Sequence, residues 1–367
     1  MRSPEDTLYC IALKNVPQVG PLIAKNLISY CGSPEAVFRE KKRRLLKIPG
    51  VGQTIATNIL DKQHIESAER EMAYVVKHKV QVLFYLDEDF PNRLKHIDQS
   101  PILLYARGNM NLNAQRTVAI VGTRRPTEHG KSACASLIQD LRDVSPLILS
   151  GLAYGIDITA HREALKCDLA TVAVLGSGLG MVYPAQHHNS ARQMERNGGL
   201  LTEFSHDTKP DRENFPARNR IVAGLADVTL VVESAATGGS MITAEFASAF
   251  NREIGAVPGR VSDPLSMGCN NLIKQHKAHL ITNGEDVARL MGWNTTESKS
   301  SIQRQIFAEL SEDEELLVEL MPDSNEYEID DLTVRSKLRP SQLATVLLSL
   351  EFKGVLRALP GNRYVRV

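Results

Sequence analysis

The sequence predicts an α/β fold built on a mostly parallel sheet, with a helical domain before it and a small domain after it. Three observations indicate this architecture. From about residue 80, short apolar runs that mostly end in glycine alternate with amphipathic segments; a repeated helical pattern precedes them, and a helix-rich stretch ending in a hairpin pattern follows. A length of 367 residues suits two or three domains. The predicted boundaries are 1–79 for the helical domain, 80–292 for the sheet domain, 293–303 for a linker and 304–367 for the last domain.

The short apolar runs are the predicted strands. They are rich enough in β-branched residues to be covered on both faces, as a parallel sheet requires. Their carboxyl ends then share one edge of the sheet, and this edge is where α/β sheets bind ligands. The predicted strands are 81–86, 117–122, 146–151, 170–176, 199–204, 228–233 and 254–259.

The N-terminal part contains two similar segments offset by 32 residues, VPQVGPLIAKNLI from Val16 and IPGVGQTIATNIL from Ile48. Each fits a helix-hairpin-helix motif, whose loop amides hold a DNA phosphate without contacting bases. The second copy is the better match and predicts DNA contacts from its loop; the first has Gln18 where a glycine is expected. Residues 1–80 carry 13 basic and 8 acidic side chains, which favours phosphate contact. The alternative is a packed helical domain whose glycines only turn corners. The predicted contacts are Gly50, Gly52 and Gln53.

The C-terminal part has a winged-helix pattern. The polar linker WNTTESKSS precedes helical segments and a hairpin, GVLRALPGNRYVRV, that turns at 360–362. The third helix, predicted from Pro340 to Glu351, has almost no basic residue after Arg339, and residues 301–367 carry 8 basic and 12 acidic side chains. This composition favours protein contact over DNA contact. The residues predicted to face outward are Ser341, Gln342, Thr345 and Ser349.

Several features of the sheet domain indicate a polyanion site. Arg218 and Arg220 precede the strand VTLVVE, and guanidinium groups bind phosphates in a bidentate way. After this strand, Gly239 and Ser240 open a helix whose first amides can receive an anion. The loop that ends the first parallel strand adds Arg124. Phe215 precedes both arginines and can stack a base, although core packing is an equally good interpretation of this ring.

Other rim residues receive structural interpretations. Asp157 begins a predicted helix and is expected to act as its N-cap. His161 lies one turn later, where a histidine is more often packed or solvated than catalytic. The other histidines have no cysteine or glutamate at the spacing that a metal site requires. The sequence also has no G-x-S-x-G or H-E-x-x-H motif. We therefore expect no metal and no catalytic set.

Two nucleotide-binding motifs each lack a required glycine in this sequence. The loop Gly176 to Gly180 would need a third glycine at Met181 to match the dinucleotide fingerprint, and a Walker A motif ending at Ser132 would need a glycine at Arg125. Neither NAD nor ATP is expected, so no cofactor is predicted. The five cysteines are scattered, and no apolar run approaches the roughly 20 residues of a membrane span. A cytoplasmic protein without membrane contact is expected.

Taken together, these residues resemble the DNA-processing protein A family, also called DprA or Smf. The matching motifs cover nearly all of residues 80–290 and much of 326–367, and they occur in one order. They are VGTRRPTEHG, SGLAYGIDITAH, VAVLGSGLGMVYP, GGLLTEF, FPARNRIVAGLADVTLVVE, GGSMITAEFA and VPGRVSDPLSMGCNNLI. The resemblance implies an extended Rossmann-like core that binds single-stranded DNA without sequence preference and forms a homodimer. It further implies protection of incoming strands and help in loading the RecA recombinase during natural transformation and recombination, and it implies no enzymatic activity.

The resemblance also implies a set of DNA-binding residues. Arg124 is the principal phosphate contact, and the segment from Arg212 to Phe215 supplies a further cation with a stacking ring. Lys209 is the alternative to Arg212. Together with the rim residues already described, the set is Gly122, Thr123, Arg124, Gly151, Ser177, Gly178, Lys209, Arg212, Phe215, Arg218, Asn219, Arg220, Gly239 and Ser240.

An enzymatic function is the alternative. The GGS-x-x-TAE loop is similar to a loop of nucleotide phosphoribohydrolases in the lysine-decarboxylase-like family, which would make Glu245 catalytic. The expected proline before the glycines is missing, and no second acid is adjacent in the sequence. A third interpretation, compatible with DNA binding, is a scaffold whose acidic C-terminal domain docks a partner protein.

Overall fold

The computed structural model describes residues 2–97, 99–293, 310–321, 326–353, 355–359 and 363–366. The chain divides into two compact units, Met1–Thr296 and Glu297–Val367. The first unit contains both the helical N-terminal part and the sheet. The linker predicted at 293–303 and the hairpin turn at 360–362 lie outside the described residues, apart from residue 293.

Among the described residues that precede the sheet there are six helices, and proline or glycine residues begin several of them. Pro4, Pro21 and Pro34 each occupy a first helical position, where the missing N–H costs nothing. The helices are α1 (Pro4–Asn15), α2 (Pro21–Cys31), α3 (Pro34–Arg39), α4 (Lys42–Leu45), α5 (Gln53–Ile59) and α6 (Gln63–Lys77).

The two hairpin loops of this part have the same backbone geometry. Gln18 has φ +66° and Gly50, at the equivalent place in the second copy, has φ +84°. Gly20 and Gly52 are the N-caps of α2 and α5. The first copy therefore has the loop geometry of the second although it lacks the glycine: Gln18 itself adopts the left-handed conformation that glycine favours.

A reciprocal exchange of hydrogen bonds joins the two hairpins. Asn26 Nδ2 donates to Pro49 O at 3.3 Å, and Asn58 Nδ2 donates to Pro17 O at 3.3 Å. The members of these pairs are related by the same offset of 32 residues. The repeat in the sequence therefore folds into one two-fold unit rather than into two independent motifs.

Within the described residues, the main sheet has nine strands in the order β1-β2-β6-β5-β4-β3-β7-β8-β9. β2 pairs antiparallel with β1 and with β6, and the other pairs are parallel. All seven strands expected from the sequence are confirmed. The strands are β1 (Gln81–Phe84), β2 (Leu103–Asn109), β3 (Thr117–Val121), β4 (Leu147–Ser150), β5 (Thr171–Val174), β6 (Gly198–Thr202), β7 (Val228–Val231), β8 (Glu253–Ala256) and β9 (His279–Leu280).

β2 and β9 were not expected. β2, LLYARGN, is fully buried only in its first half, and its last residues pair with the glycines of β6 at close range. A Cβ at Gly108 would overlap the backbone of Gly198, so glycine is required at this crossing. β9 has two residues, and both are exposed. A strand this short carries no periodic signal in the sequence.

Helices cover both faces of the sheet, and the N-terminal part packs against one of them. Leu13 of α1 and Val75 of α6 share a buried cluster with Leu200 of β6. No described helix is both long and apolar enough to cross a membrane. The helices of the sheet domain are α7 (Asn92–Lys95), α8 (Glu128–Asp140), α9 (Ile156–Lys166), α10 (His188–Met194), α11 (Asn214–Leu225), α12 (Gly239–Ala249), α13 (Met267–Lys274) and α14 (Gly284–Leu290).

The Asp227 carboxylate joins the amino end of β3 to α7. Its carboxylate accepts hydrogen bonds from Arg93 Nε at 2.6 Å and Nη2 at 2.9 Å, and from the backbone N–H and hydroxyl of Thr117 at 2.9 and 3.0 Å. The Arg93 and Asp227 side chains are 16% and 18% exposed. Loss of this carboxylate would leave a half-buried guanidinium without its counter-charge.

We therefore expect Asp227→Ala to lower the free energy of unfolding by about 2 to 3 kcal/mol, because breaking a buried, hydrogen-bonded ion pair leaves uncompensated donors. Urea denaturation of the purified protein measures this. Asp89→Ala is the control, since Asp89 is exposed. Equal stability of the two variants would contradict this role of Asp227.

The second unit contains a helical core closed by a three-stranded sheet of order β10-β12-β11, described within the ranges given above. The fold agrees with the predicted winged helix, and the third helix ends one residue later than expected. Its elements are α15 (Glu312–Leu320), β10 (Glu326–Glu328), α16 (Ile329–Ser336), α17 (Pro340–Phe352), β11 (Leu356–Leu359) and β12 (Arg363–Arg366).

Glu314 connects α15 to α17. Its carboxylate accepts hydrogen bonds from the Ser349 hydroxyl at 2.6 Å and from Lys353 Nζ at 2.6 Å, and these bonds lower its pKa to about 2. Ser349 therefore points toward α15, not outward as predicted. Ser341, Gln342 and Thr345 are exposed as expected.

The Glu314 interaction makes the second unit sensitive to acid. Because the folded pKa lies below the ordinary value of 4.5, the stabilisation is complete above about pH 4.5 and is lost as pH falls toward 2. Glu314→Gln should lower stability at pH 7 by about 1 to 3 kcal/mol and flatten the pH dependence in this window. The NMR methyl signals of Leu347, followed during an acid titration, measure how much of the second unit remains folded at each pH. Glu315→Gln is the control, because Glu315 is exposed. An unchanged acid profile for Glu314→Gln would rule out this linkage.

Candidate nucleic-acid interface

A cavity of about 1430 Å³ opens at the carboxyl edge of the sheet. It lies where the predicted rim loops meet, after β3, β4 and β7, and between α11 and α12. Of the predicted site residues, the lining includes Gly122, Thr123, Arg124, Gly151, Arg212, Phe215, Arg218, Asn219, Gly239 and Ser240. The expectation that the strand ends assemble one binding edge is therefore matched by the geometry.

Arg124 and Phe215 form a cation–π pair in this lining. The Arg124 guanidinium carbon lies 5.5 Å from the centre of the Phe215 ring. Arg124 is exposed, and within the described part of the chain it has no carboxylate partner. Phe215 is half-buried, so one part of the ring packs and another faces the cavity. The pair can hold a phosphate beside a stacked base.

Arg218 is buried below this pair, at 4% exposure. Its Nη1 donates to Val174 O at the end of β5, and its Nε donates to Asn219 Oδ1 at 3.1 Å. Burial lowers its pKa to about 10, the nearby Asp157 opposes this shift, and the charge of Arg124 adds to it. Arg218 therefore acts mainly as the floor of the cavity rather than as an exposed phosphate contact.

Asp157 compensates the buried charge of Arg218. It is the second residue of α9, and Gly155 occupies the N-cap position, so the N-cap prediction is wrong. The carboxylate accepts hydrogen bonds from Gly151 N at 3.1 Å and Ala153 N at 3.3 Å. Burial raises the pKa of Asp157, and Arg218 opposes that shift. The amide of Gly151 is therefore already bonded and is not available to a phosphate.

The beginning of α12 forms the opposite wall of the cavity. Gly238 is the N-cap and has no side chain to bond the first amides, so these remain directed at the cavity. Ser240 is buried and its hydroxyl lies 2.8 Å from that of Ser234. Asn219 Nδ2 donates to Gly239 O at 3.1 Å, which joins α11 to α12. Asn219 thus holds two sides of the cavity together.

Four predicted site residues do not line the cavity. Ser177 is buried, and its hydroxyl donates to Met181 O at 2.9 Å. Gly178 N donates to Thr208 O at 2.9 Å, and a Cβ there would overlap the backbone of Ser205. The glycines after β5 therefore serve a close approach of two loops. Lys209 is exposed outside the lining.

Arg220 is the fourth predicted site residue that does not line the cavity. It is 8% exposed and forms an ion pair with Glu203, which follows β6. Arg218 and Arg220 are two positions apart on α11, which is about half a helical turn. Their side chains therefore leave the helix in different directions. The structure directs Arg220 to a carboxylate, and the expectation that it faces the cavity is wrong.

Of the remaining candidates, Glu245 lines the cavity and the others do not. Gly50, Gly52 and Gln53 are exposed on the N-terminal part, and their DNA contact stays a prediction. His161 is fully buried with Nδ1 2.7 Å from the Thr171 hydroxyl, and burial lowers its pKa to about 3. It is a packed residue, as expected. Glu245 is exposed and does line the cavity.

One cluster has the donor atoms for a cation. Ligand atoms of Glu71, His206 and Asp207 lie within 4.8 Å of one another. The Glu71 carboxylate already accepts bonds from His206 N and Nδ1, at 2.9 and 2.6 Å. Burial lowers the pKa of Lys14, and the carboxylates of Glu203, Glu71 and Asp207 oppose that shift. The Glu71 oxygens are already used by His206, and the cluster joins α6 to the segment that follows β6.

Comparison with known proteins identifies the family. A model described as DNA recombination-mediator protein A matches residues 81–292, which is more than half of the 367 residues. The chain belongs to this family. A model of a SAM-like helix-hairpin-helix tandem matches residues 11–62, and one of the DprA winged helix domain matches residues 295–362.

Relatives of this DprA/Smf family member match over most of its length. Protein Smf of Synechocystis is 33% identical over 286 residues, covering 77% of this chain and 72% of the relative. A putative DNA processing protein DprA of Mycobacterium tuberculosis is 32% identical over 351 residues, covering 92% of this chain and 88% of the relative.

Two solved structures share the fold. DNA processing protein A of Streptococcus pneumoniae superimposes with a TM-score of 0.62 at 32% identity, covering 79% of this chain and 98% of that one. DNA processing protein A of Helicobacter pylori, whose structure concerns its single-stranded DNA binding mode, superimposes with a TM-score of 0.53 at 30% identity, covering 58% of this chain and 95% of that one.

Sequence reasoning missed two residues of the DprA cavity. Tyr183 lines it, 48% exposed, with its ring centre 6.0 Å from that of Phe215. Asp157 was placed at a helix cap, whereas it compensates Arg218. The signal for Tyr183 was present: a large aromatic residue in a glycine-rich loop after a buried strand. No sequence signal paired Asp157 with Arg218, because 61 positions separate them.

The floor of the cavity depends on the small size of residue 151. A Cβ at Gly151 would overlap the Arg218 guanidinium, which is buried and cannot move aside freely. We expect Gly151→Ala to lower stability by about 1 to 3 kcal/mol through overpacking, measured by chemical denaturation. Gly239→Ala is the control, because its Cβ would meet nothing closer than Asn219 Nδ2 at 3.9 Å. Wild-type stability of Gly151→Ala would show that Arg218 is not held as described.

Proposed function

We propose that this protein binds single-stranded DNA in the cavity at the carboxyl edge of its sheet, without sequence preference, and acts as a recombination mediator. The observation that carries the proposal is the exposed Arg124 guanidinium, positioned 5.5 Å from the Phe215 ring in a cavity of about 1430 Å³. A cation next to a half-buried aromatic ring that partly faces the cavity suits a phosphate joined to an unpaired base. Membership of the DNA recombination-mediator family supports the same substrate class.

The charge of the cavity supports a polyanionic ligand. Arg124, Arg125 and Arg212 line it and are exposed, and the described residues include no carboxylate paired with any of them. Of the described lining residues, Asp157 and Glu245 are acidic, and the Asp157 carboxylate is occupied by backbone amides and the nearby Arg218. The cavity therefore presents net positive charge to a ligand.

The contacts also explain the absence of sequence preference. Guanidinium groups and helix amides bind the backbone, which is the same for every sequence, and a stacked ring accepts any base. A catalytic role is less well supported: Glu245 lines the cavity, but the second acid, Asp157, is buried and its carboxylate is bonded to backbone amides. The proposal is therefore a binding function.

The wider role is proposed from the family and from the domains that the chain contains. The protein would protect incoming single strands in the cytoplasm and help load RecA onto them, as a homodimer. The exposed hairpin residues Gly50, Gly52 and Gln53 would add phosphate contacts from the N-terminal part. The acidic second unit would contact a protein partner, because α17 offers uncharged residues rather than cations to a ligand.

Arg124→Ala should lower the affinity for labelled oligo-dT and for mixed-sequence single strands by the same factor, about 10-fold or more, because a charge-assisted hydrogen bond is worth about 1.5 to 3 kcal/mol. Fluorescence anisotropy at several salt concentrations measures this. The slope of log affinity against log salt should become shallower by about 0.7, the contribution of one phosphate on a single strand.

Arg142→Ala is the matched control. Arg142 is exposed and lies just before β4, at the amino edge of the sheet, opposite to the cavity. Its loss should leave affinity and slope unchanged. Wild-type binding by Arg124→Ala, or an equal loss in both variants, would refute the proposed site.

A further inference from the structure

A second hollow lies beside the cavity, between α9 and the segment that leads into α10. Its volume is about 460 Å³. A short 3-10 helix, Ala185–His187, forms one end of it. Its lining is polar and basic, with Arg162, Lys166, Gln186, Asn189 and Gln193 among the residues. No predicted site residue belongs to this hollow.

Tyr154 connects the two hollows. It directly follows Ala153, which lines the cavity, and its hydroxyl donates to Gln186 Oε1 at 2.8 Å, which lines the second hollow. Tyr154 is 42% exposed, so part of the residue is open to a ligand. A strand leaving the cavity on this side would pass this ring before it reaches Gln186.

His187 holds Tyr154 in this position. Its ring contacts the Tyr154 ring edge-on, with centres 5.1 Å apart. His187 is 3% exposed, and its Nδ1 lies 2.8 Å from Leu152 O; because a carbonyl oxygen can only accept, Nδ1 carries the proton and donates. Tyr154 is therefore a fixed aromatic surface and does not need to be ordered by a ligand.

Tyr183 extends the same path from the other side. It lines the cavity beside Phe215, and three positions later in the chain Gln186 lines the second hollow. Both tyrosines are about half exposed, at 48% for Tyr183 and 42% for Tyr154. One exposed tyrosine therefore lines the cavity, and the other is hydrogen-bonded to a residue that lines the second hollow. Successive aromatic rings along a basic path are typical of single-strand binding.

Arg162 supplies the charge in the second hollow. It is exposed, its Nε is 3.5 Å from Ser190 Oγ, and among the described residues it has no carboxylate partner. Lys166, one turn later on α9, is instead paired with Glu163 at 2.6 Å. The charge of Arg162 also contributes to lowering the pKa of His187, which places the guanidinium near this end of the hollow. The cation that is free to bind a phosphate is therefore Arg162.

We infer that the single strand continues from the cavity across Tyr183 and Tyr154 into the second hollow, where Arg162 binds a backbone phosphate and Tyr154 stacks a base. The amides of Gln186, Asn189 and Gln193 both donate and accept hydrogen bonds, so they tolerate any base edge. This extension rests on the proposed function, because it assigns the path of the same ligand beyond the cavity.

Binding of oligo-dT of increasing length tests the extension. With wild-type protein, affinity should rise with length in two stages, as the cavity and then the second hollow are filled. Arg162→Ala should bind the short strands as wild type does, but should bind the long strands about 10-fold more weakly, with a salt slope shallower by about 0.7. Tyr154→Ala should weaken long strands about 5-fold or more, and Tyr154→Phe, which keeps the ring, should retain most of the affinity.

Arg124→Ala and Arg142→Ala complete the experiment. Arg124→Ala should weaken strands of every length, whereas Arg142→Ala should weaken none. If Arg124→Ala loses affinity and Arg162→Ala matches wild type at all lengths, the extension is wrong and the proposed function stands. Loss of short-strand binding by Arg162→Ala would also overturn it, because the contact would then not be distal. If Arg124→Ala binds normally, the proposed function fails and the extension fails with it.

Discussion

The buried guanidinium of Arg218 is the interaction on which the carboxyl edge of the sheet depends. It joins the end of β5, through Val174 O, to α11, and it fills the space that the missing side chain of Gly151 leaves. A buried charge is costly unless it is compensated, and Asp157 supplies that compensation from the first turn of α9. Three neighbouring segments are therefore held in one arrangement by two buried charges.

Two arginines at this edge of the sheet have different roles. Arg218 is buried and shapes the cavity, whereas Arg124 is exposed and remains available to a ligand. The charge of Arg124 contributes to lowering the pKa of Arg218, so the two guanidinium groups lie close enough to repel each other. A polyanion bound at the proposed site would relieve that repulsion. The buried floor and the exposed rim would together form a surface that is preorganised for phosphates.

Local sequence signals were sufficient for most of the fold. All seven expected strands are present because each is a short apolar run whose burial on both faces leaves a continuous hydrophobic pattern. β2 was missed because it is antiparallel, ends in polar residues and depends on close contact with the glycines of β6. The hairpin repeat was recognised, but the equivalence of Gln18 and Gly50 required backbone angles, since a non-glycine residue in the left-handed region has no reliable signature.

The sequence by itself determined that this chain has a parallel sheet whose glycine-rich strand ends meet at one edge with several arginines, because strand order and loop composition are local properties. Only the tertiary structure decided what each residue of that edge does. It buried Arg218, paired Arg220 with Glu203, turned Ser177 and Gly178 toward neighbouring loops, and brought Tyr183 beside Phe215. These outcomes depend on which distant segments pack against each loop. A side chain's partners across the fold, and not its neighbours in sequence, set its exposure and its charge.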